Sequence, residues 1–141
     1  MDVHYHVGFT SLLAVILYPH FGWMVVLLFV GGVLVDVDHL LWYALRYGDW
    51  NPLWCHRTYM VEGAKNNYHD FDGSLNIFYT IEFVILLSIA AMYSPSAFVV
   101  LWGYAGHVFL DAIWLLFFVK RSVINYSIVY WLWLNKIKTV K

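Results

Sequence analysis

The apolar positions of the chain fall into four long runs, which are separated by short polar or proline-containing segments. A helix that crosses a bilayer needs about 20 predominantly apolar residues, and fewer when its ends reach the headgroup region. Leu, Val, Ile and Phe dominate all four runs. The pattern therefore predicts a bundle of four transmembrane helices, over residues 4–18, 21–45, 74–93 and 96–119.

The breaks between the runs predict how the helices end. Proline disfavours helix for the residue before it, so a turn is expected at Pro19-His20 and another at Ser94-Pro95. Residues 46–73 are predicted to form a polar loop, and Lys120-Arg121 to end the fourth helix. Residues 122–134 are too short to span, and their aromatic side chains predict a helix in the membrane interface: Tyr126, Tyr130, Trp131 and Trp133.

The composition agrees with a single all-α integral membrane domain over residues 1–141. Hydrophobic residues make up 62% of the chain and charged residues only 12%, which is outside the range of soluble domains. The first apolar run is followed by Pro19 and not by a small-residue cleavage site, so we expect this segment to be retained. The single cysteine, Cys55, excludes an internal disulfide, and a net charge of −1 gives no argument for nucleic acid.

The basic residues predict an orientation. With four spans, the amino terminus, the polar loop and the carboxyl tail share one side, which then holds all eight Lys and Arg. Short loops rich in Lys and Arg remain on the cytoplasmic side of the membrane. We therefore expect a prokaryotic-type inner membrane protein with its charged face toward the cytoplasm.

Acidic and imidazole side chains from different helices are predicted to lie at one depth. At about 1.5 Å per residue from the uncharged turns, Asp36 and Asp111 lie roughly 24 Å along their helices, and His107 and Glu82 roughly 18 Å. An isolated charge at such depth costs roughly 2.5 to 3.5 kcal/mol. The spans contain no Lys or Arg to neutralise these acids. A bound cation is one way to compensate for the charge.

The spacing of these residues suits metal ligation. His107 and Asp111 stand four residues apart, and Asp36 and His39 three apart, so each pair shares a helix face. Imidazole and carboxylate are common ligands of zinc and of other divalent first-row metals. The pattern therefore predicts a divalent metal site toward the cytoplasmic side.

Asp36 and Asp38 present a geometric difficulty for a single ion. They differ by about 200° around an ideal helix, so both cannot face the same point. Either two separate ions or a local break after Gly31-Gly32 would resolve the conflict.

Several motifs occur in an order that resembles a known family. The chain has a histidine with a glycine four later, a Gly-x-Leu-x-Asp-x-Asp-His run, a His-Arg pair and a late Gly-His-x-x-x-Asp motif: His4 and Gly8, residues 32–39, His56-Arg57, and residues 106–111. Together they resemble the inner-membrane metal-dependent hydrolases, the family that includes a bacterial SOS-regulated membrane protein. The last motif is also similar to one in zinc-dependent phospholipase C enzymes. This chain has Val35 where the family usually has Pro.

Because the cluster is expected beneath the cytoplasmic interface of a membrane protein, the expected substrate is a phosphoester of a lipid or lipid-linked molecule. The resemblance implies its hydrolysis by metal-activated water. It implies one to three divalent ions, expected to be zinc, with manganese or iron as alternatives. Arg57 would bind the phosphate, and His69 or Asp70 would act as the general acid. The implied metal ligands are His4, His6, Asp36, Asp38, His39, His56, His69, His107 and Asp111.

Two other functions stay open at this stage. One is a bis-histidine haem protein, in which His107 and either His4 or His6 would be the axial ligands. The other is a small ion-coupled transporter whose intramembrane acids bind a cation or relay protons. Four spans would have to oligomerise to enclose a transport path, and the sequence leaves homo-oligomerisation undecided.

Overall fold

The computed structural model describes residues 2–65, 74–119 and 127–139, and all statements below concern these residues. They are helical with short connections, and the described ranges contain no β-strand. The predicted residues His69 and Asp70 lie outside them.

Eight α-helices follow one another along the described chain: α1 Val3–Phe21, α2 Leu28–Gly32, α3 Val37–Tyr47, α4 Pro52–Arg57, α5 Gly63–Lys65, α6 Ile81–Tyr93, α7 Pro95–Trp114 and α8 Ile128–Thr139. Between them lie 3₁₀ segments at Gly22–Leu27, Leu34–Asp36 and Ile77–Tyr79, and π-helical segments at Thr58–Glu62 and Leu115–Val119. The chain groups into two compact units. Unit 1 comprises described residues of Met1–Val37 and Leu86–Lys120, and unit 2 those of Asp38–Ile85 and Arg121–Lys141.

The first helix does not end where the sequence predicted. The expected turn at Pro19-His20 is wrong, because α1 continues through Pro19 to Phe21. Proline lacks a backbone N–H, but near the last turn this removes only one hydrogen bond from the helix. The chain turns instead at Gly22, whose φ of 54° lies in a region that glycine adopts without steric cost.

The second apolar run is interrupted near its acidic residues. Helix α2 ends at Gly32, Val33 leaves helical geometry at φ −134° and ψ −48°, and α3 starts at Val37. This is the local break that the sequence offered as one solution for Asp36 and Asp38. It occurs although Val35 replaces the proline of the resembling family.

The remaining boundaries also differ from the prediction. The third apolar helix begins at Ile81 and not near Ser74, because Thr80 is extended and its hydroxyl accepts a hydrogen bond from the N–H of Phe83. The predicted polar loop contains helix from Pro52 to Lys65. Asn51 caps this helix by accepting from the N–H groups of the next turn.

Small residues allow close helix packing in unit 1. A Cβ atom added to Gly31 would collide with the backbone of Val100, and one added to Gly103 with the carbonyl of Leu28. A Cβ on Gly32 would collide with the side chain of Thr10 in α1. Glycine–backbone contacts of this kind are typical of closely packed membrane helices. They set the register of α1, α2 and α7.

Two helical stretches are long and apolar enough to cross a membrane, by length and composition. They are Val3–Tyr47, of 45 residues, and Pro95–Phe117, of 23 residues, while the apolar α6 is shorter. Only 11% and 22% of the residues in their most apolar windows are buried within the protein. The core helix of a soluble protein would be mostly buried.

Candidate metal centre

The packing of α2 against α7 brings acidic and imidazole groups together in steps of one helical turn. Gly103 lies against the backbone of Leu28, and one turn later His107 contacts the carbonyl oxygen of Gly32. Another turn along both segments leads to Asp36 and Asp111. The same register that packs the glycines therefore aligns the polar residues.

The helix break supplies the acceptor that orients His107. In a continuous α-helix the N–H of Asp36 would bond to the carbonyl of Gly32. Here it bonds instead to the carbonyl of Val33, at 3.3 Å. The Gly32 oxygen is therefore available, and Nδ1–H of His107 donates to it at 3.0 Å.

This hydrogen bond determines the direction of the His107 lone pair. A carbonyl oxygen can only accept, so Nδ1 carries the proton, and in the neutral ring Nε2 carries a lone pair. Nε2 lies 3.5 Å from Asp36 Oδ1 and 3.2 Å from Asp111 Oδ2. A lone pair directed at two carboxylates is repulsive unless a proton or a metal cation lies between them.

His6 completes the cluster from α1. Its Nε2 lies 3.3 Å from Asp111 Oδ1 and 3.9 Å from Asp36 Oδ2. Its ring stacks on His107 with centroids 3.9 Å apart, and the two side chains are 0% and 1% exposed. Nδ1 of His6 has no hydrogen-bond partner among the described residues, so His107 is the more firmly oriented of the two imidazoles.

The donor set and its spacing fit a small divalent ion. Donor atoms of His6, His107 and Asp111 all lie within 4.8 Å of one another. Charge-assisted N–H···O hydrogen bonds are usually about 2.7 to 2.9 Å long, and the distances here are longer. Donors around a tetrahedral zinc ion with bonds near 2.1 Å would be about 3.4 Å apart. A hydrogen bond from the other ring nitrogen of a ligand histidine to a backbone carbonyl is also typical of metal sites.

The charges of unit 1 agree with this fit. Its sequence contains a single Lys or Arg, Lys120, which lies outside the described residues. Two ionised carboxylates with two neutral imidazoles carry a net charge of −2, which a divalent cation would neutralise. The described part of unit 1 is thus a helical unit with a buried imidazole–carboxylate cluster that can hold a metal ion.

Asp38 and His39 belong to a different network, in unit 2. Oδ1 of Asp38 lies 2.8 Å from Nδ1 of His39, and Oδ2 accepts from the N–H of Phe78 at 3.2 Å. Nε2 of His39 lies 3.4 Å from the amide nitrogen of Asn76. Asp36 thus belongs to unit 1 and Asp38 to unit 2, because the boundary between the units falls after Val37.

Three further predicted residues have different surroundings. His4 is 66% exposed, and its Nδ1 lies 3.3 Å from Asp2. His56 and Arg57 are exposed on α4 in unit 2, where the Arg57 guanidinium stacks over Trp54. The structure thus assembles four of the predicted ligands: His6, Asp36, His107 and Asp111.

Two groups that take part in these hydrogen-bond networks were not predicted from the sequence. The Gly32 carbonyl carries no side-chain signal, although a glycine pair before an Asp-x-Asp element indicates a place where the helix can break. Asn76 lay inside a predicted apolar helix, and its contact with His39 joins residues 37 positions apart in the chain.

Comparisons of the chain with protein-family models, with curated proteins and with solved structures gave no match. The resemblance to the membrane hydrolases therefore rests on the motifs alone.

Proposed function

We propose that unit 1 binds a divalent metal ion through Nε2 of His6 and His107 and the carboxylates of Asp36 and Asp111. The observation that carries the proposal is the hydrogen bond from His107 Nδ1 to the Gly32 carbonyl, because it turns Nε2 toward two carboxylates, where a cation is needed between the three groups. Imidazole and carboxylate groups are typical zinc ligands, and they also bind manganese and iron.

The chain is proposed to span the inner membrane four times, with this site in the cytoplasmic half. Apolar side chains project outward along α1 and beyond α7, among them Val15 at 74% and Leu116 at 76% exposure. Such apolar surfaces are stable in contact with lipid, whereas their exposure to water is energetically unfavourable. The distribution of Lys and Arg supports the cytoplasmic orientation.

The proposed activity is metal-dependent hydrolysis. A bound divalent ion lowers the pKa of its water ligand and polarises a phosphoryl oxygen. His6 and His107 are fully enclosed, whereas the side chains of Asp111 and Asp36 are 14% and 20% exposed. The carboxylate side is therefore the open one, and a substrate would enter there.

The substrate class follows from the surroundings of the site. A cluster held between apolar helices is reached most readily by a membrane lipid or a lipid-linked molecule, and a phosphoester matches the resembling families. Arg57 is proposed to bind the phosphate, and His69 or Asp70 to protonate the leaving group. The exposed position of Arg57 leaves its guanidinium accessible to such a group.

The contact between His6 and His107 does not support the haem alternative. Two axial ligands must approach the iron from opposite faces of the macrocycle. The rings of His6 and His107 are stacked 3.9 Å apart at an interplanar angle of 16°, which leaves no space for a haem between them.

Metal analysis of the detergent-purified protein tests the site. We expect about one zinc, manganese or iron ion per chain, and loss of that metal in His107→Ala and in Asp111→Ala. His20→Ala is the matched control, since it removes an exposed imidazole from the same helix as His6 and should keep the metal. Unchanged metal content in both site variants would refute the metal centre.

A second assay separates the substrate from the site. The purified protein is incubated with bacterial membrane lipids, and release of phosphate or headgroup is measured with and without a chelator. Hydrolysis that requires both the metal and Asp111 supports the proposal. Stoichiometric metal without any hydrolysis would leave the site in place and reject the lipid substrate.

A further inference from the structure

Each carboxylate of the proposed metal centre presents a different oxygen to each imidazole. Nε2 of His6 lies 3.3 Å from Oδ1 of Asp111 and 3.9 Å from Oδ2 of Asp36. Nε2 of His107 lies 3.2 and 3.5 Å from the other oxygen of each of these carboxylates, Oδ2 and Oδ1 respectively. A carboxylate that bridges two metal ions has this arrangement, with one oxygen on each ion.

The two imidazole rings are also arranged for two ions. They are stacked with centroids 3.9 Å apart and with their planes inclined by only 16°. A metal ion binds an imidazole nitrogen along its lone pair, in the ring plane, at about 2.0 to 2.1 Å. Two nearly parallel planes do not meet within that distance, so a shared ion lies outside at least one of them. Two ions, one in each plane, would be separated by about the stacking distance, and two-metal sites have separations of about 3.5 to 4 Å.

The two positions are expected to differ in affinity. Nδ1 of His107 donates to the Gly32 carbonyl, whereas Nδ1 of His6 has no hydrogen-bond partner among the described residues. The lack of such a supporting hydrogen bond typically weakens metal binding by about 10- to 100-fold. The position at His107 is therefore the stronger one, and the single ion expected in the purified protein would occupy it.

The charge of the cluster connects the weaker position with an anion. Two divalent ions with two carboxylates and two neutral imidazoles carry a net charge of +2, which is unfavourable in an enclosed site unless it is compensated. A phosphate group has the opposite charge and can contact both ions from the open carboxylate side. The described part of unit 1 contains no Lys or Arg to bind a phosphate, so the second ion would supply positive charge there.

We propose that unit 1 has a second, weaker metal position at His6, bridged to the first by Asp36 and Asp111, and that the phosphate group of the substrate enters with the second ion. The inference rests on the metal centre proposed above, in which one ion is shared by both imidazoles. When two ions are bound, each imidazole holds its own. Phosphate and the second ion then strengthen each other's binding by the same factor.

Manganese titration of the metal-free full chain in detergent tests the second position. Mn²⁺ accepts imidazole and carboxylate ligands, and it is paramagnetic. Equilibrium dialysis counts the bound ions, and electron paramagnetic resonance reports whether they interact. We expect about two manganese ions per chain, the second with a Kd about 10 to 100 times that of the first. Ions bridged by two carboxylates should give an exchange-coupled spectrum in place of the signal of an isolated ion.

The titration separates this inference from the metal centre itself. A single bound manganese ion at every concentration, with the spectrum of an isolated ion, would overturn the second position and leave the metal centre in place. If no manganese binds, both are overturned.

His6→Ala tests which imidazole holds the second ion, and circular dichroism verifies that the variant is folded. We expect about one manganese ion per chain in His6→Ala, with an uncoupled spectrum. His20→Ala removes an exposed imidazole from the same helix and should keep the coupled pair. A coupled spectrum in folded His6→Ala would reject His6 as the ligand, and so would the loss of all bound metal, because one ion would then need both imidazoles.

Inorganic phosphate tests the connection with the substrate. The titration is repeated in phosphate and, as the control, in chloride at the same ionic strength. We expect phosphate to lower the Kd of the second manganese ion roughly tenfold and to leave the first nearly unchanged. An equal Kd for the second ion in phosphate and in chloride would overturn the coupling to phosphate.

Discussion

The role of His107 depends on a backbone oxygen. The Gly32 carbonyl accepts the Nδ1 proton and so directs Nε2 toward Asp36 and Asp111. That oxygen is available only because the backbone leaves the α-helix at Val33. A local conformational change in one segment thus sets the chemistry of a side chain 75 positions away along the chain.

Glu82 shows a comparable backbone interaction in unit 2. Its carboxylate accepts from the Ser127 hydroxyl at 2.7 Å and from the N–H groups of Ile128 and Val129 at 3.2 and 3.3 Å. These are unpaired donors at the first turn of α8. Glu82 therefore caps α8 from a distant part of the sequence.

We predict that Glu82→Gln weakens the start of α8. The neutral amide loses the favourable interaction of a carboxylate with the positive end of the helix. Hydrogen exchange should become faster at the amides of Ile128 and Val129. Glu62→Gln is the control, because Glu62 pairs only with exposed Lys65 in the contacts described for it. Unchanged exchange at α8 in Glu82→Gln would contradict the capping role.

At the scale of elements, unit 1 is organised by glycine contacts between α2 and α7. Gly31 and Gly103 each lie against the backbone of the facing helix, and the most buried apolar side chains, Leu28 and Val99, lie beside them. Because the helices approach so closely, a displacement here would also move His107 relative to Gly32.

We predict that Gly103→Ala destabilises the fold and reduces metal binding together. The added methyl group would meet the Leu28 carbonyl, and such overpacking costs about 1 to 3 kcal/mol. Gly8→Ala is the matched control, because nothing lies within 4 Å of a Cβ at that position. There, alanine should stabilise α1 by up to about 1 kcal/mol. Denaturation in detergent measures the stability of both variants. An equal change in stability for Gly103→Ala and Gly8→Ala would contradict the close packing of α2 and α7.

At the scale of the whole molecule, the low burial of the apolar stretches is the main physical constraint on the environment of the protein. Most residues of these windows are not covered by other parts of the protein. A lipid environment accounts for such a surface, because exposure to water would cost free energy in proportion to the apolar area.

Cysteine labelling tests the four-span arrangement. In a Cys55→Ala background, cysteines replace the exposed residues Trp23, Tyr93 and Trp50 one at a time. A membrane-impermeant maleimide should label positions 23 and 93 in intact cells, because the proposal puts both turns outside. Position 50 should react only after permeabilisation. Labelling of all three positions from the same side would contradict the four spans.

Metal removal should lower the stability of unit 1. A ligand that binds only the folded state stabilises it by about 2.7 kcal/mol at a concentration one hundred times its Kd. We expect a chelator to lower the melting temperature of the wild type and zinc to restore it. His107→Ala should melt at one temperature with or without zinc, and a zinc response equal to that of the wild type would argue against this site.

The sequence by itself determined the helical class and the apolar stretches, and it placed His6, Asp36, His107 and Asp111 within a larger set of nine predicted ligands. These features follow from properties of single segments, namely helix periodicity, run length and distance from a turn. The sequence also indicated a helix break after Gly31-Gly32, which the structure contains. The predicted turn at Pro19 and the predicted start of the third helix near Ser74 were wrong, because a proline near the last turn costs α1 only one hydrogen bond and because Thr80 caps α6.

Only the tertiary structure decided which polar groups act together. Asp36 faces His107 and Asp111, while Asp38 pairs with His39 and with the backbone of Phe78. Glu82 caps α8 instead of joining either group. These choices depend on the rotation of each segment after the break and on contacts between residues far apart in the chain. Neither is contained in the period or composition of a single helix.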